Sequence, residues 1–332
     1  MIESADSLAD LVRAYRPALL VMALVRAGVM DRLLEGPGTA AEIASRCGVD
    51  PAALARIMEA ASSLGIVAAE GRSYSLPEGL ARGLRGGPGS GMDGLRHQAD
   101  TFDKWARLES VLRSGRTDYP DGHDVTLDAR RNETFIQAMH AYAAGPASRL
   151  AAILPREGAS SLLDLGGGPG TFCFALIEAW PGLRATVADL PLTLRVTRRL
   201  IDSLGLGDRV DVIESDFYAD PECDLGGPWD LVLLSSVMHA EGEEANRSLL
   251  ARARRATSRG GRIVIREHIL SDAGPSDPRA AIFDVHMLVS TRRGRCYTRR
   301  EISSMLEGAG FRAPGRRGAP GAGRMVARAG GG

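Results

Sequence analysis

A glycine-rich turn follows directly after an apolar run in the second half of the chain. The run, residues 162–165, contains Asp164 and leads into Gly166 and Gly168 of the sequence GGGPG. Glycine is required where a backbone turns sharply and a ligand must approach with no Cβ in the way. The third glycine of the dinucleotide-binding pattern GxGxxG would fall on Thr171, so the register differs from that of nicotinamide-binding proteins. This spacing favours S-adenosylmethionine as the cofactor.

The next two apolar runs end in residues suited to the same ligand. One ends at Asp189, whose carboxylate can accept hydrogen bonds from both ribose hydroxyls. The other ends before Asp216 and Phe217, which can accept from the adenine amino group and lie against the ring. Each feature alone is equally typical of a turn or a helix cap. Because ligands bind outside the carboxyl edge of a parallel sheet, the three strand ends together indicate one cofactor site.

A histidine and a glutamate follow the last two predicted strands. His239 comes shortly after the strand 231–235, and Glu267 ends the strand after it. Histidine is the usual residue for removing a proton from a hydroxyl at neutral pH, and a carboxylate can hold its ring in the productive tautomer. The structural alternative is that His239 caps a helix and that Glu267 pairs with Arg262 or Arg266.

Two more histidines raise the question of a metal site. The spacing of His239, His268 and His286 fits no standard ligand motif. Glu267 and His268, as neighbours on one strand, should also point to opposite faces. We therefore expect no metal, and a surface or packing role for His268 and His286.

The elements that must position these residues alternate between strands and helices. Candidate strands cover residues 161–165, 185–188, 210–214, 231–235 and 262–266, with amphipathic helices between them. Such alternation predicts a parallel, doubly wound α/β sheet with helices on both faces. A Gly/Ala/Pro/Arg-rich tail begins at Ala313, and residues 324–329 within it can form a last edge strand.

The first half of the chain is predicted to be mostly helical. Two amphipathic helices over 7–34 are divided near Pro17 and Gly28, and a Thr39–Glu42 capping box starts another helix. A further helix opens at Asp50-Pro51 and runs to Gly65. Short strands at 66–69 and 73–76, a glycine-rich loop at 83–94, and helices at 103–113 and 132–154 complete the predicted elements.

Helix, turn, helix and a two-stranded wing form a winged-helix pattern, which is typical of DNA-binding proteins. Between residues 41 and 69, however, two arginines stand against three acidic residues, and a helix that faces phosphates normally carries a basic excess. The whole chain has 41 basic and 41 acidic residues, so no net field attracts nucleic acid or an anionic membrane. We expect neither as a partner.

Composition also indicates the compartment. The four cysteines are scattered without a CxxC pair, so neither disulfides nor a zinc site is expected. The most apolar N-terminal run, residues 18–25, is too short to cross a bilayer and lacks the features of a secretory leader. The sequence therefore predicts a cytoplasmic protein.

Nearly the whole chain resembles the plant-type, caffeate-like family of small-molecule O-methyltransferases, which includes bacterial natural-product enzymes. The resemblance is carried by Trp105, Leu108, Gly115, Phe135, Met139, the 164–170 turn, Asp189, Leu190, Pro191, Ser215, Asp216, Phe217, His239, Glu267, Asp284, Met287, Leu288, Thr298, Gly310 and Phe311.

The resemblance implies a class I methyltransferase-type sheet with an N-terminal, mostly helical, winged-helix-like dimerisation domain. The corresponding divisions are 1–100 for dimerisation, 101–154 for substrate-pocket helices and 155–332 for S-adenosylmethionine binding and catalysis. It assigns His239 as general base, with Glu267 as its orienting partner. The other implied site residues are Asp164, Gly166, Gly168, Asp189, Leu190, Asp216, Phe217 and Ser235 for the cofactor, and Met139, Asp284 and Met287 for the substrate pocket.

Three positions depart from the family pattern. Ser235 stands where the family usually has a lysine, and Ala240 and Glu241 replace the Asp-Trp pair that usually follows the histidine. Cys296 occupies the position of a second carboxylate that flanks the histidine, and Glu241 or Asp284 is a candidate to take its place. These departures concern how firmly the cofactor and the histidine are held.

We therefore expect a homodimer that uses S-adenosylmethionine to methylate a hydroxyl of a small aromatic metabolite, in bacterial secondary metabolism. One alternative is a carbon or nitrogen acceptor, for which a weaker base suffices. Another is a family member that binds the cofactor but performs other chemistry. A winged-helix regulator that senses a small molecule is the alternative from a different class.

Overall fold

The chain divides into two compact units, Met1–Asp103 and Lys104–Gly332. A computed structural model describes residues 2–85, 90–117, 128–220, 222–312 and 323–330. No helix within these ranges is long and apolar enough to span a bilayer. The first unit is mainly helical, and the second contains the predicted sheet.

The first unit combines helices with a small three-stranded sheet of order β1-β3-β2. Its elements are α1 (Ala5–Arg13), α2 (Tyr15–Arg26), α3 (Val29–Glu35), β1 (Gly38–Thr39), α4 (Ala40–Cys47), α5 (Pro51–Ser63), β2 (Ala68–Glu70), β3 (Ser73–Ser75), α6 (Glu78–Leu84) and α7 (Gly91–Trp105), whose last two residues belong to the second unit. The capping box of Thr39 and Glu42 is present at the start of α4. Apolar residues of α2 to α5, among them Leu24, Ile43 and Met58, form the core of this unit.

The predicted divisions near Pro17 and Gly28 were confirmed, and one boundary was wrong. The first helices separate at Ala14 and at Gly28, and Pro17 lies in the first turn of α2, where its missing N–H leaves no hydrogen bond unmade. The glycine-rich loop is shorter than predicted, since α6 continues to Leu84 and α7 starts at Gly91. Residues 86–89 of that loop lie outside the described residues.

The second unit is built on a seven-stranded sheet of order β11-β12-β8-β7-β4-β5-β6. Its elements are α8 (Leu108–Ser114), α9 (Ala129–Ile153), β4 (Ser161–Leu165), α10 (Thr171–Ala179), β5 (Arg184–Asp189), α11 (Pro191–Ser203), β6 (Val210–Glu214), β7 (Trp229–Ser235), a 3₁₀ turn (Met238–Ala240), α12 (Glu243–Ala256), β8 (Thr257–Arg266), β9 (Ile269–Leu270), α13 (Pro278–Ser290), β10 (Tyr297–Thr298), α14 (Arg299–Gly308), β11 (Phe311–Arg312) and β12 (Arg324–Ala329). Strands β4 to β8 pair in parallel, as predicted. Strand β12 is antiparallel to both β8 and β11, so it is not the edge strand that the sequence predicted. Residues 313–322 of the tail lie outside the described residues.

Both faces of this sheet are buried, which explains why its strands read as nearly continuous apolar runs. Leu231 and Leu233 of β7 pack in one cluster with residues of α9, α10 and α11. Val232 and Leu234 point the other way and pack with residues of α12 and α14. This alternation places every second residue of a strand on the same face. All the parallel strands end at one edge, where the predicted cofactor residues, His239 and Glu267 lie.

The side chain of Arg209, just before β6, binds the C-terminal end of α10 and the loop that follows it. The guanidinium of Arg209 donates to the carbonyl oxygens of Ile177, Trp180 and Leu183, at 2.9–3.0 Å from Nη2. The last carbonyls of a helix have no partner within the helix, so Arg209 satisfies groups that would otherwise be unpaired. We expect Arg209→Met to lower the free energy of unfolding by about 2–4 kcal/mol.

The control is Arg198→Met, which removes an exposed ion pair to Glu214 and should cost no more than about 0.5 kcal/mol. Thermal and urea unfolding of both variants would measure the difference. Equal stabilities of the two variants would contradict the capping role of Arg209.

Candidate active site and cofactor site

The glycine turn after β4 is shaped by left-handed backbone conformations. Gly166 and Gly168 have φ angles of 72° and 54°, which residues with a Cβ rarely adopt. A Cβ on Gly166 would also lie 2.6 Å from Cγ2 of Val237 and 3.1 Å from Cζ of Phe217. A Cβ on Gly168 would meet no atom within 4 Å, so open space lies beside that residue. The turn thus brings bare backbone to the carboxyl edge of the sheet.

The peptide groups of Gly168 are held from both sides. Its N–H donates to Oδ2 of Asp189 at 2.8 Å, and its carbonyl accepts from Oγ1 of Thr197 at 2.7 Å. Oδ1 of Asp189 accepts from the N–H of Leu190, the residue before α11, at 2.7 Å. The side chain of Thr193 also donates to this carboxylate, which with four lone-pair positions still retains acceptor capacity for a ligand hydroxyl. Thr197, which is fully buried, was not identified from the sequence.

Asp164 is a buried carboxyl group with unmet hydrogen-bonding capacity. Only 1% of the residue is exposed, and neither carboxylate oxygen has a hydrogen-bond partner of normal geometry within the described ranges. Burial, with the nearby charge of Asp189, raises the pKa of Asp164 to about 7, although the N–H of Cys173 opposes the shift. Burial likewise raises the pKa of Asp189 to about 6. Such a pair is suited to a ligand that brings hydrogen-bond donors or a positive charge.

Further unpartnered polar atoms lie at the neighbouring strand ends. Oγ of Ser235, at the end of β7, and Oγ of Ser215, after β6, are both buried without a hydrogen-bond partner in the described part of the chain. Buried hydroxyls normally have partners, so these atoms are consistent with a polar ligand at this edge. We call the glycine turn, Asp164, Asp189, Ser215 and Ser235 the cofactor cradle. Its polar atoms fit the hydrogen-bonding groups of S-adenosylmethionine.

The residues after β6 differ from one another in exposure. Phe217 is largely buried and contacts the glycine turn, whereas Asp216 is exposed. Oδ1 of Asp216 accepts from the N–H of Ala219 at 3.0 Å, so this carboxylate caps a local turn. Its second oxygen accepts no hydrogen bond from the residues that the structure describes.

His239 and Glu267 form a hydrogen-bonded pair at the ends of β7 and β8. Nδ1 of His239 lies 2.7 Å from Oε2 of Glu267. The other oxygen of Glu267 accepts from the backbone N–H groups of Val237 and Met238 at 2.7 and 2.8 Å. Burial raises the pKa of the Glu267 carboxyl, but His239 and the two N–H groups outweigh it, and the net pKa is lowered.

An ionised Glu267 determines the tautomer of the histidine. A carboxylate can only accept, so Nδ1 of His239 carries the hydrogen and Nε2 remains an acceptor. Nε2 has no hydrogen-bond partner among the residues that the structure describes. The pair is therefore arranged so that Nε2 can receive a proton.

The turn that carries His239 is fixed by three polar side chains that the sequence did not reveal. Nδ2 of Asn246 donates to the carbonyl of Met238 at 2.7 Å, and its Oδ1 accepts from the hydroxyl of Tyr218 at 2.8 Å. The hydroxyl of Tyr297 donates to the carbonyl of Glu241 at 2.6 Å. Asn246 and Tyr297 are both buried. These bonds hold the turn from the side of α12 and β10.

The departures from the family pattern have a defined local structure. Oδ1 of Asp284 accepts from the N–H of Cys296 at 2.7 Å, so this carboxylate binds backbone instead of His239. Burial raises the pKa of the Cys296 thiol to about 12, which excludes a reactive thiolate there at neutral pH.

An aromatic cluster lies beside His239. The ring of Phe283 meets His239 edge-on at 4.9 Å and stacks on His268 at 3.9 Å between centroids. His286 lies 5.7 Å from Phe283 and accepts from Nε1 of Trp105 at 3.2 Å. We call Trp105, His268, Phe283 and His286 the aromatic wall. Phe283 was not identified from the sequence, although it lies one residue before Asp284.

Glu267 and His268 are the first two residues after β8, which ends at Arg266. Glu267 bonds His239 directly, and His268 stacks on Phe283, whose ring also contacts His239. Over the described ranges, no three His, Cys, Asp or Glu side chains are grouped as metal ligands would be. The remaining pocket candidates, Met139 on α9 and Met287 on α13, are half-buried and buried respectively.

The raised pKa values of Asp164 and Asp189 predict how stability depends on pH without cofactor. A carboxyl whose pKa is raised on folding stabilises the fold below its unfolded pKa, near 4, and this contribution is lost as pH rises through the folded values of about 6 and 7. We expect Asp164→Asn to be more stable than the wild type by about 1–2 kcal/mol at pH 5 and by about 4 kcal/mol at pH 8, because the unfolded aspartate is already ionised at pH 5. Thermal unfolding at both pH values would measure this, with exposed Asp211→Asn as control. A variant less stable than the wild type at pH 8 would contradict the prediction.

Comparison with known proteins identifies the family. A sequence model of the O-methyltransferase domain matches residues 105–312. The chain is 29% identical over 310 residues to 3-hydroxy-5-methyl-1-naphthoate 3-O-methyltransferase of Streptomyces sahachiroi, covering 91% of this chain and 88% of that protein. It is 29% identical over 315 residues to 3-amino-4-hydroxybenzoate 4-O-methyltransferase of Streptomyces cremeus, covering 92% and 84%.

A solved structure agrees with these relatives in fold. Human N-acetylserotonin methyltransferase in complex with SAM superimposes with a TM-score of 0.83 at 22% identity, covering 99% of each chain. The predicted α/β fold class, with its helical N-terminal region, and the predicted methyltransferase activity are therefore confirmed. With its glycine turn, strand-end carboxylates and histidine on this sheet, the chain belongs to the O-methyltransferase domain family.

Proposed function

We propose that this protein transfers the methyl group of S-adenosylmethionine to a hydroxyl on a small aromatic acceptor, with His239 as the general base. The cofactor follows from the family, and the human structure compared above contains it. The observation that carries the proposal is the bond between Nδ1 of His239 and buried Glu267, which leaves Nε2 available as a proton acceptor.

The reaction requires alignment and a proton acceptor. S-adenosylmethionine supplies a methyl group on a sulfonium, which is already a good leaving group. A phenol has a pKa of about 10 and is a weak nucleophile at neutral pH until it loses its proton. Nε2 of His239 would take that proton as the oxygen bonds the methyl carbon in line, and the methyl–sulfur bond would break to release S-adenosylhomocysteine. Glu267 then stabilises the imidazolium that forms.

The cofactor is held along the carboxyl edge of the sheet. In this proposal the backbone of Gly166 and Gly168 approaches it closely, Asp189 accepts from the ribose hydroxyls, and Asp216 accepts from adenine. Phe217 and Leu190 pack on its apolar surface, while Asp164 and Ser235 bind its polar amino-acid end. The unpartnered oxygens of Asp164 and Ser235 support this arrangement.

An aromatic acceptor suits the surroundings of the histidine. The aromatic wall offers ring faces and edges against which a planar molecule can pack. The two Streptomyces relatives named above methylate hydroxyls on a naphthoate and a benzoate. Met139, Asp284 and Met287 complete the proposed pocket. A histidine paired with an ionised carboxylate favours an oxygen acceptor, because oxygen must be deprotonated to react.

The predicted domain roles extend this proposal. Residues 1–100 would form the dimerisation domain, 101–154 the pocket helices and 155–332 the catalytic domain. In the first unit, α1 has no buried residue, and Leu8, Leu11, Val12 and Tyr15 are each more than half exposed. An apolar surface of this kind is stabilised when it is covered, and a second copy of the chain is the proposed partner.

Two substitutions test the roles of His239 and Glu267. We expect His239→Ala to lower turnover by about 100-fold or more while the affinity for S-adenosylhomocysteine stays unchanged. Glu267→Gln should be similarly damaging, because its amide would donate to Nδ1 and put the hydrogen on Nε2 instead. The control is Glu244→Gln, an exposed residue of α12. One readout is kcat with a panel of phenolic, amine and carbon acceptors. The other is the affinity for S-adenosylhomocysteine, measured by calorimetric titration.

Wild-type turnover in His239→Ala would refute the general base. Transfer only to amine or carbon acceptors would refute the hydroxyl as target while leaving the cofactor site intact.

A substitution on α1 tests dimerisation. We expect the wild type to sediment as a dimer at micromolar concentration and Leu11→Asp with Val12→Asp to sediment as a monomer, because charges would replace the covered apolar surface. Leu112→Asp, at an exposed position of α8 in the second unit, is the control and should remain a dimer. A monomeric wild type in sedimentation velocity would overturn the proposal.

A further inference from the structure

A row of polar side chains lies where β7 and β8 end and the antiparallel β12 begins, on one face of the sheet. Ser235 of β7 pairs in register with Arg266 of β8, and Arg266 pairs in register with Arg324 of β12. Residues opposite each other on neighbouring strands project from the same face. Leu233, Val264 and Val326, two residues away along each strand, all pack in the cluster beneath α9, α10 and α11. Ser235, Arg266 and Arg324 therefore lie on that face, at the carboxyl edge of the parallel strands.

The two arginines of this row have no carboxylate partner among the described residues. Nη1 of Arg266 donates to Oγ of Ser236 at 3.0 Å, and its Cζ lies 4.9 Å from the centroid of the Phe172 ring. Nη1 of Arg324 is buried and has no hydrogen-bond partner within the described ranges. Burial lowers the pKa of Arg266, with Glu267 opposing the shift and Arg149 adding to it.

Two adjacent arginines without a carboxylate partner are suited to binding an anion. Arginine remains charged in proteins, and two neighbouring guanidinium groups repel each other unless a negative charge lies between or above them. Glu267, the acid whose charge acts on Arg266, is already bound to His239 and two backbone N–H groups. A planar guanidinium binds carboxylates and phosphates especially well, because its N–H groups can bond both oxygens at once.

The row adjoins one end of the cofactor cradle. Asp164 pairs in register with Leu233, so it shares the face of Ser235 and lies one strand from it. Phe172, on which Arg266 stacks, lies in the first turn of α10, directly after the glycine turn. Asp189 and the residues after β6 lie on the opposite side of β4 in the strand order. The proposed adenosine end of the cofactor and the arginine row therefore occupy opposite sides of the glycine turn.

We infer that Arg266, with Arg324 behind it, binds the carboxylate at the amino-acid end of S-adenosylmethionine. Asp164 faces the ammonium group of the same end, so a zwitterion meets charges of the opposite sign on adjacent strands. Arg266 thereby supplies, one strand away, the cation that the family usually places at Ser235. This inference rests on the proposed function.

The test compares two ligands that differ only in the amino-acid end. S-adenosylhomocysteine carries the amino-acid carboxylate, and 5′-methylthioadenosine lacks the whole amino-acid end. We expect Arg266→Met to weaken S-adenosylhomocysteine binding by about 10- to 100-fold, the range of a lost charged hydrogen bond, and 5′-methylthioadenosine binding by less than about twofold. Methionine keeps an apolar stem against Phe172, and Arg324→Met should give a smaller loss with the same ligand selectivity.

Arg328→Met is the matched control, because Arg328 lies on β12 like Arg324 but pairs with Glu157. Ser235→Lys in the Arg266→Met background should restore at least part of the lost affinity, since it returns a cation to the register partner of residue 266.

Calorimetric titration of each variant with both ligands gives the readout. Equal loss of both ligands in Arg266→Met would mean that Arg266 only supports the cradle, and unchanged binding of both would mean that it does not touch the cofactor. Either result overturns the inference while leaving the proposed function in place. Failure of the wild type to bind S-adenosylhomocysteine would instead overturn the proposed function. Binding of 5′-methylthioadenosine shows that a variant is folded.

Discussion

The carboxylate of Glu267 joins two neighbouring strand ends and the turn that carries the histidine. One oxygen binds Nδ1 of His239, and the other binds two consecutive backbone N–H groups of the 237–239 segment. A buried carboxylate without these donors would be unstable as an anion, and the turn without the carboxylate would bury two unpaired N–H groups. The tautomer of His239 therefore depends on this one side chain, which also binds the backbone of the turn that carries the histidine.

The carboxyl edge of the sheet is divided by strand order. Strands β5 and β6 lie on one side of β4 and end in the carboxylates proposed for adenosine. Strands β7 and β8 lie on the other side and end in the pair of His239 and Glu267 and in the arginine row. The glycine turn lies between the two groups and is clamped through both peptide groups of Gly168. Parallel strands make this possible, because all their carboxyl ends meet at one edge.

The loss of residues that the family places around the histidine changes how the site is held. A polar network of Tyr218, Asn246 and Tyr297 fixes the turn from behind, and Phe283 contacts the imidazole ring from the side. Asp284 binds the backbone of Cys296 and so orders the segment before β10. The orientation of His239 thus comes from a buried carboxylate, from this polar network and from ring packing.

Local patterns in the sequence determined the order of strands and helices and the glycine turn. They also identified the strand-end carboxylates and the pair of His239 and Glu267 as candidate site residues. These features depend on backbone conformation and on periodic burial, which short segments encode by themselves. The roles of Thr197, Asn246, Phe283 and Arg324 were decided only by the tertiary structure. Thr197 meets Gly168 across 29 residues and Asn246 meets Tyr297 across 51, and such contacts leave no mark in a local pattern. Strand register decided the rest, because only the pairing of β7, β8 and β12 places Ser235, Arg266 and Arg324 side by side on one face.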